Sequence, residues 1–561
     1  TTQGGAQEIN YSDSTSNLDI SDELNDGDIK MIYSTDRAFA ALKEDGSVVS
    51  WGDETYGGNL CIYVSSSDCE SVATKLDGDN DDASSDGDSD SETDKDVVSI
   101  SSTISAYAAL RADGSVVSWG KDTKGGDITY SISTLEGELD GMDSEGGDTE
   151  DVVAIYSNRN AFAALRADGS LVVWGSAYGG DLSESTSELD DAGNGLDDDG
   201  NGVIDVVDGN KVVSVFSSGQ AFSALREDGS VVSWGASNFG GDISTPVDVK
   251  TSGALDSDVI DITATYWSFA ALKQDGSVVT WGYSTYGGDS SSVSSELYNV
   301  SAIYSGYFTF AAVKENGVVV AWGDAGMGGS ITSPLDVSAE LDYDATNPVV
   351  NVFGNNYSMA ALKADGSLVT WGRAIFGGDS SCVASYLDGD ADGDGDTSDT
   401  SQDVVNVYGT VYAQSALLAD GTVVSWGDES YGGDCEVRSD ISEIRVNFGS
   451  FVGLKNDGTG DLEIWGSSSY GGSSSSSFDG TGGRSGIETL DTVIDQAEDV
   501  IGFYNDRYVD EGDTVTFTLS AVEYDAGDDI TFEVVSAPSN AASYSLTEDG
   551  VFTYVHDDTE T

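Results

Sequence analysis

ALRADGSVVSWG, residues 109–120, decides the fold, because the same phrase recurs in nine versions along 561 residues. It reads ALKEDGSVVSWG at 41–52, ALKQDGSVVTWG at 271–282 and ALLADGTVVSWG at 416–427. The tryptophans that mark it are Trp51, Trp119, Trp174, Trp234, Trp281, Trp322, Trp371, Trp426 and Trp465, with a mean spacing of about 52. Self-similarity at such a period belongs to stacked or radial supersecondary units, each unable to bury its hydrophobic face alone. Nine copies of one unit make one architecture, where length alone would predict three or four separate domains.

Working outward from the phrase, each copy reads as three short strands. In the third, residues 152–156 (VVAIY) form the first, Ala161 to Leu165 the second and Leu171 to Trp174 the third. Asp168-Gly169 separates the last two. Asp-Gly between apolar runs predicts a hairpin with a two-residue type I′ turn, both central residues having positive φ. The pair recurs in eight copies, and the sixth has Asn316-Gly317. A Gly-Gly follows each strand trio, as at Gly57-Gly58, Gly179-Gly180 and Gly377-Gly378, where a β-carbon would be excluded. Four prolines, no 18-residue apolar run and no long 3.6-residue period complete an all-β reading.

The register of Ala-Leu, Asp-Gly, Trp-Gly and the trailing glycines over residues 28 to 472 resembles the repeats of the regulator of chromosome condensation family. That resemblance implies a β-propeller with one small sheet per blade. The family's common ring has seven blades, so nine copies imply a larger ring or an open superhelix. The eukaryotic founder exchanges nucleotide on a small GTPase and sits on chromatin; neither a matching insertion nor a basic surface is visible here, and fold does not carry function with it. A tryptophan at one position of every repeat reads as packing between blades, its N–H paired locally, rather than as a sugar-stacking array. Trp267 alone lies outside the motif and is the better candidate for an exposed or functional ring.

Asp and Glu total 101 against 22 Lys and Arg, a formal charge of -79. Nucleic-acid phosphates and anionic lipid surfaces repel such a polyanion, so neither is an expected partner, and no membrane insertion is expected. Acids crowd into residues 77–96 and 388–399. Their mutual repulsion opposes compaction unless salt or bound cations neutralise it.

The twelve residues 197–208, DDDGNGVIDVVD, fit a calcium loop of the EF-hand or dockerin-like kind. Its oxygen ligands would be Asp197, Asp199, Asn201, the Val203 carbonyl, Asp205 and Asp208, with Gly202 at the sharp turn and Ile204 as the apolar anchor. A second candidate is Asp388, Asp390, Asp392, Asp394, Asp396 and Asp399, with Gly395 in place of the anchor. A third, Asp77, Asp79, Asp81 and Asp88, lacks the turn glycine. All three follow the Gly-Gly of a repeat and precede the next first strand. Calcium is therefore the expected cofactor.

Cys61 and Cys69 share one insertion, and Cys382 and Cys435 take nearly equivalent places after the Gly-Gly of the seventh and eighth copies. Two disulfides are expected, the second joining adjacent blades; zinc would need a tighter pattern and more than His556. Disulfides and Ser/Thr/Gly/Asp-rich loops predict an extracellular, secreted or cell-surface protein. The start at Thr1 without Met predicts a processed terminus. Sequons stand at Asn10, Asn299 and Asn356.

One histidine near the end leaves no Ser-His-Asp or Cys-His set in the repeats, and no phosphate-binding loop appears, so no enzyme is expected. Residues 1–27 read as an N-terminal extension, 473–498 as a Ser/Gly-rich linker and 499–561 as a further domain. In the last, Val515, Phe517 and Leu519, then Ile530, Phe532 and Val534, alternate as strands, and residues 548–554 (EDGVFTY) form a late hairpin. This segment resembles the bacterial cadherin-like and immunoglobulin-like repeats of surface adhesins, and the resemblance implies a β-sandwich lacking its last strand. A strand from residues 6–11 of a second copy could complete it. The expectation is a calcium-stabilised subunit of an extracellular filament or matrix that self-associates into a homopolymer. The rival is an adhesin or lectin-like module that recognises glycan or protein.

Overall fold

The computed structural model describes residues 29–43, 45–65, 68–76, 96–128, 139, 152–176, 179, 203–204, 211–243, 254–389, 403–456, 462–470, 514–518, 541–546 and 551–556. Of these, 62–70, 203–204 and the last three segments are described by backbone alone. Each of the nine motifs builds an antiparallel sheet ordered first, middle, third strand. In repeat 3, Val152–Ser157 pairs with Ala161–Arg166, which pairs with Leu171–Gly175, so that Ala163 stands opposite both Tyr156 and Val173. Among the described residues the chain is nearly all-β, a propeller-like array of small sheets interrupted by short 3-10 turns.

Both faces of an inner sheet are buried, which is why the strands read as unbroken apolar runs. Ala161, Ala163, Leu165, Leu171 and Val173 meet Val215, Phe222, Ala224, Val232 and Trp234 of repeat 4. From the opposite face, Phe162, Ala164, Val172 and Trp174 meet Ala106, Ala108, Leu110 and Val116 of repeat 2. Alanines on one sheet make room for the large rings of the next, so adjoining layers interdigitate. Eight such cores are present among the described residues, one between each pair of consecutive repeats.

The repeated tryptophan performs the packing expected of it. Trp174 stacks on Phe162 at 5.2 Å and is fully buried. Its indole N–H donates to the Gly125 carbonyl of the preceding repeat at 3.0 Å. The same bond runs from Trp119 to Gly57, Trp234 to Gly179, Trp281 to Gly240, Trp322 to Gly287, Trp371 to Gly328 and Trp426 to Gly377. Repeats 7 and 8 keep this bond but lack the stacked ring, with Met359 and Gln414 in its place, and the buried Oε1 of Gln414 accepts no hydrogen bond. Removing an orphaned buried acceptor is stabilising, so Gln414→Met, which copies Met359 of repeat 7, should raise stability by about 1–2 kcal/mol in urea titration.

The Asp-Gly hairpins are present, but not as type I′ turns. Arg166 N–H donates to the Ser170 carbonyl and Gly169 N–H to the Arg166 carbonyl. Three residues thus separate the paired ends: a turn closed over Ala167 and Asp168, then Gly169 at φ +87°. Only the glycine takes positive φ; Asp168 does not, and its carboxylate instead accepts from the Ser170 N–H and hydroxyl. A serine two residues after the aspartate favours this side-chain-closed form over the two-residue turn. In repeat 5 the Ser277 hydroxyl and N–H hold the Asp275 carboxyl below its usual value. That contribution to stability exists above the ordinary carboxylate range and fades as pH falls through the lowered value.

The hairpin glycine also joins repeats. Val212 N–H of repeat 4 bonds the Gly169 carbonyl, as Val97 bonds Gly46 and Val152 bonds Gly114. A Cβ on Gly169 would lie 2.4 Å from the Lys211 Cβ.

Near the C-terminus, 514–518 pairs with 551–556, which pairs with 541–546, all antiparallel. The late hairpin is therefore present. Of the expected sandwich, the alternating run 530–534 lies outside the described residues, as do residues 1–27 and the linker 473–498.

Candidate functional site

The middle strand begins at the end of the sheet where the third strand finishes, as Ala38 opposite Gly52 shows. The turn between first and second strands and the 3-10 turn before Gly-Gly therefore share one end of every sheet. The Asp-Gly hairpins occupy the other end. At the first end the turns converge on an axial cavity of 730 Å³, lined by repeats 1 to 8. The last residue of the first strand faces it each time: Ser34, Ser102, Ser157, Ser217, Ala264, Ser305, Gly354 and Gly409. Main-chain bonds tie successive turns together, from Asp36 to Ile104, Ile104 to Arg159, Gly219 to Tyr266, Tyr307 to Asn355 and Val411 to Phe448.

Only Asp36 and Arg159 bring charge to the lining. Hydroxyl and amide groups dominate the rest, in a chain whose net charge is -79. Arg159 reaches past repeat 4 and donates to the Tyr266 hydroxyl of repeat 5 at 3.3 Å. Tyr266 stacks on Tyr307 of repeat 6 at 4.7 Å. Burial, with Tyr266 alongside, pushes the Tyr307 hydroxyl up to about 12, so it remains a neutral hydrogen-bonding group at physiological pH.

From Tyr266 a run of touching rings continues around the same end. Phe239 of repeat 4 stacks on Trp267 at 4.6 Å, and Trp267 meets Tyr283 and Tyr286. Tyr286 touches Phe308, which leads to Tyr357, Phe376, Tyr412, Tyr431 and Tyr470 in turn, ending beside Phe448. The Arg373 guanidinium lies over the Phe376 ring at 4.7 Å. These rings are half-buried or exposed, with Phe448 at 52%. Trp267, singled out in the sequence, sits at the head of the run. Its indole N–H has no partner. The rest of the arc was missed, although part of its signal is visible: an aromatic within two residues before the middle strand from repeat 5 onward, and another just before Gly-Gly in repeats 4, 5, 7, 8 and 9 but not in repeat 6, which has Met327.

The calcium candidates fall almost wholly outside the described residues. Asp197, Asp199, Asn201, Asp205, Asp208, Asp390, Asp392, Asp394, Asp396, Asp399, Asp77, Asp79, Asp81 and Asp88 are not described. Asp388 is exposed directly after buried Leu387, whose carbonyl accepts from the Leu368 N–H at the outer edge of repeat 7. Leu76, which precedes Asp77, is held the same way by Val48. The acidic runs thus leave from a leucine anchored on the third strand. The backbone of Val203–Ile204 forms a fourth strand there, Leu171 opposite Ile204. Among the described residues no group of His, Cys, Asp and Glu is gathered for a metal.

Cys382 and Cys435 are joined, with Cα atoms 5.9 Å apart, linking the insertions of repeats 7 and 8. Cys61 is also disulfide-bonded; the Cys69 side chain, its expected partner, lies outside the described residues. Closing a 53-residue loop constrains the unfolded chain by about 4 kcal/mol in the chain-entropy account. Cys382→Ser should therefore lower stability by about 2–4 kcal/mol, and reductant should destabilise wild type more than this variant.

No family model matches the chain, and no curated protein matches it. Solved structures do. The ectodomain of the receptor kinase CR4 from Physcomitrella patens is 14% identical over 61% of this chain and 72% of its own, with a TM-score of 0.28. Yeast RCC1 (Prp20), crystallised with Kap60, is 14% identical over 76% and 86%, with a TM-score of 0.29. The C-terminal domain of gp131 from bacteriophage phiKZ is 10% identical over 72% and 94%, with a TM-score of 0.28. At these scores the likenesses bear on neither ring closure nor ligand. Among the described residues no helix is long and apolar enough to cross a membrane.

Proposed function

We propose that this chain is a structural, non-catalytic subunit of an extracellular bacterial filament or surface matrix, and that copies join through the two ends of the repeat array. The observation that carries this reading is the count of eight inter-repeat cores for nine repeats among the described residues. A closed ring would have nine. Repeat 1 consequently presents Ile32, Phe39, Val49 and Trp51 half-buried, where the counterparts of Phe39 and Trp51 in repeats 2 to 6 are 0–1% exposed. Repeat 9 presents Val452, Leu454, Leu462 and Ile464 half-buried, where Ala163, Leu165, Leu171 and Val173 of repeat 3 are covered.

The two faces are the halves of the contact already made eight times within the molecule. Repeat 9 adds an ion pair, Arg445 with Glu443, at positions held by Tyr156 and Ala154 in repeat 3. An apolar patch with a charged rim is the composition of a contact formed between soluble partners. Joining repeat 9 of one copy to repeat 1 of the next is head-to-tail and generates a filament wherever the rotation does not close. The disulfide agrees with an oxidising exterior.

Val452→Glu should abolish high-mass species in light scattering while leaving the melting transition intact. Wild type that stays monomeric at all concentrations contradicts the reading. If deletion of residues 1–12 dissolves filaments that Val452→Glu retains, strand donation from the N-terminal segment joins the copies instead.

Calcium belongs to the same proposal, as the counter-charge that stiffens the acidic insertions. At fixed ionic strength, chelation should lower the melting temperature, and Asp197→Ala with Asp208→Ala should remove part of that sensitivity. No shift with calcium in either protein contradicts it. The arc of rings favours a second reading, a glycan-recognising module, and a filament subunit can carry both roles.

A further inference from the structure

We propose that the axial cavity and the adjoining aromatic arc form a binding site for a neutral polysaccharide. The site lies at the turn end of the sheets, away from the faces invoked for assembly, so either proposal can fail without the other. Three observations converge. The first is contiguity: rings from six consecutive repeats touch one after another on one end of the molecule, and apart from Phe239 and Tyr431, which pack against inter-repeat cores, none belongs to those cores. Contiguous exposed apolar surface on a soluble protein marks an interaction site. The second is Trp267, whose half-buried ring stacks on Phe239 and whose indole N–H lacks a partner. A buried donor left unpaired is costly and marks a place where an acceptor from outside would be bound.

The third observation is charge. The bulk of the molecule is strongly anionic, yet the cavity wall is built from serine, threonine and asparagine, with one acid and one base among 22 lining residues. Acidic and basic ligands find no complement there. A sugar chain does, because each pyranose ring offers a C–H face that packs on an aromatic ring and an edge of hydroxyls that both donate and accept. Hydroxyl and amide side chains can reciprocate either way, and the Tyr307 hydroxyl, which stays neutral, adds a further donor at the rim. The cavity volume of 730 Å³ falls within the range of roughly 300–1,000 Å³ usual for small-ligand sites. The arc then extends the surface along the chain of a polymer. Proline-rich peptides also lie on aromatic grooves, but a wall of hydroxyls matches a ligand that bears hydroxyls on every unit.

Tryptophan fluorescence reads the site. Trp51 and Trp267 are half-buried, whereas the eight other tryptophans are at most 4% exposed. Soluble dextran, mannan, xyloglucan and a chitin hexamer are titrated into the full chain, with heparin and a polyproline peptide as contrasts. The expected result is saturable quenching or a blue shift with at least one neutral glycan and none with heparin. Trp267→Phe, which keeps a ring but lacks the N–H, should lose the signal and weaken binding, measured by calorimetry, less than the alanine variant does. Trp267→Ala should weaken binding roughly tenfold or more. Tyr283→Ala, on an exposed ring, should weaken it less, and both variants should keep a cooperative melting transition. If no neutral glycan binds, or if binding survives Trp267→Ala unchanged in a folded protein, the proposal is overturned. Binding of polyproline in place of every glycan overturns it as well.

Discussion

Trp174→Ala should lower stability by about 3–5 kcal/mol, the largest loss expected from one side chain here. The indole is fully buried, stacked on Phe162 and bonded through its N–H to the Gly125 carbonyl of the repeat before. Truncation leaves a cavity between two sheets and orphans that carbonyl. The informative comparison is Trp51→Ala. Trp51 holds the same place in its repeat and stacks on Phe39 at 5.4 Å, but it is half-buried. Its replacement should cost about half as much or less, because the cavity term shrinks where the site is already open to water. Denaturant titration of both variants checks this. Equal losses at the two positions would mean that another element covers repeat 1 as fully as repeat 2 covers repeat 3.

Gly169→Val should cost about 3 kcal/mol or more, and the reason is twofold. At φ +87° a β-branched side chain is strained in itself. Its Cβ would also stand 2.4 Å from the Lys211 Cβ and 2.9 Å from the Lys211 Cα, where the next repeat begins. Backbone must shift, and the bond from Val212 N–H to the Gly169 carbonyl goes with it. Gly326→Ala is the matched control. That glycine has no positive φ, and a Cβ there meets only the Asp324 Oδ1 at 3.3 Å. Its effect should stay within about 0.5 kcal/mol of wild type. Thermal melts of the two variants side by side decide the matter.

Much of the fold was legible because the repeat prints the same instruction nine times. Unbroken apolar runs in 161–165 and 171–174 implied two buried faces, and Asp-Gly placed a hairpin between them. The turn type was misread, since Asp-Gly alone does not say how many residues close the loop. Ser170, which bonds back to Asp168, carried that information. The Cys382–Cys435 bridge was legible from equivalent offsets in neighbouring repeats. The aromatic arc was not, because its members sit at positions that vary among copies. Repeat 2 has Ile104 and Lys124 where repeat 5 has Tyr266 and Tyr286. Only the shared end of the sheets brings such residues together. The open ends were equally hidden: Trp51 and Trp174 look identical in sequence and differ only in what lies against them.

Electron microscopy of the native particle tests the central claim most directly. If copies join through the ends of an open array, images show filaments in which the sheets of one subunit run on into those of the next, with repeat 9 against repeat 1. Isolated discs, each with nine blades closed within one molecule, would contradict the account.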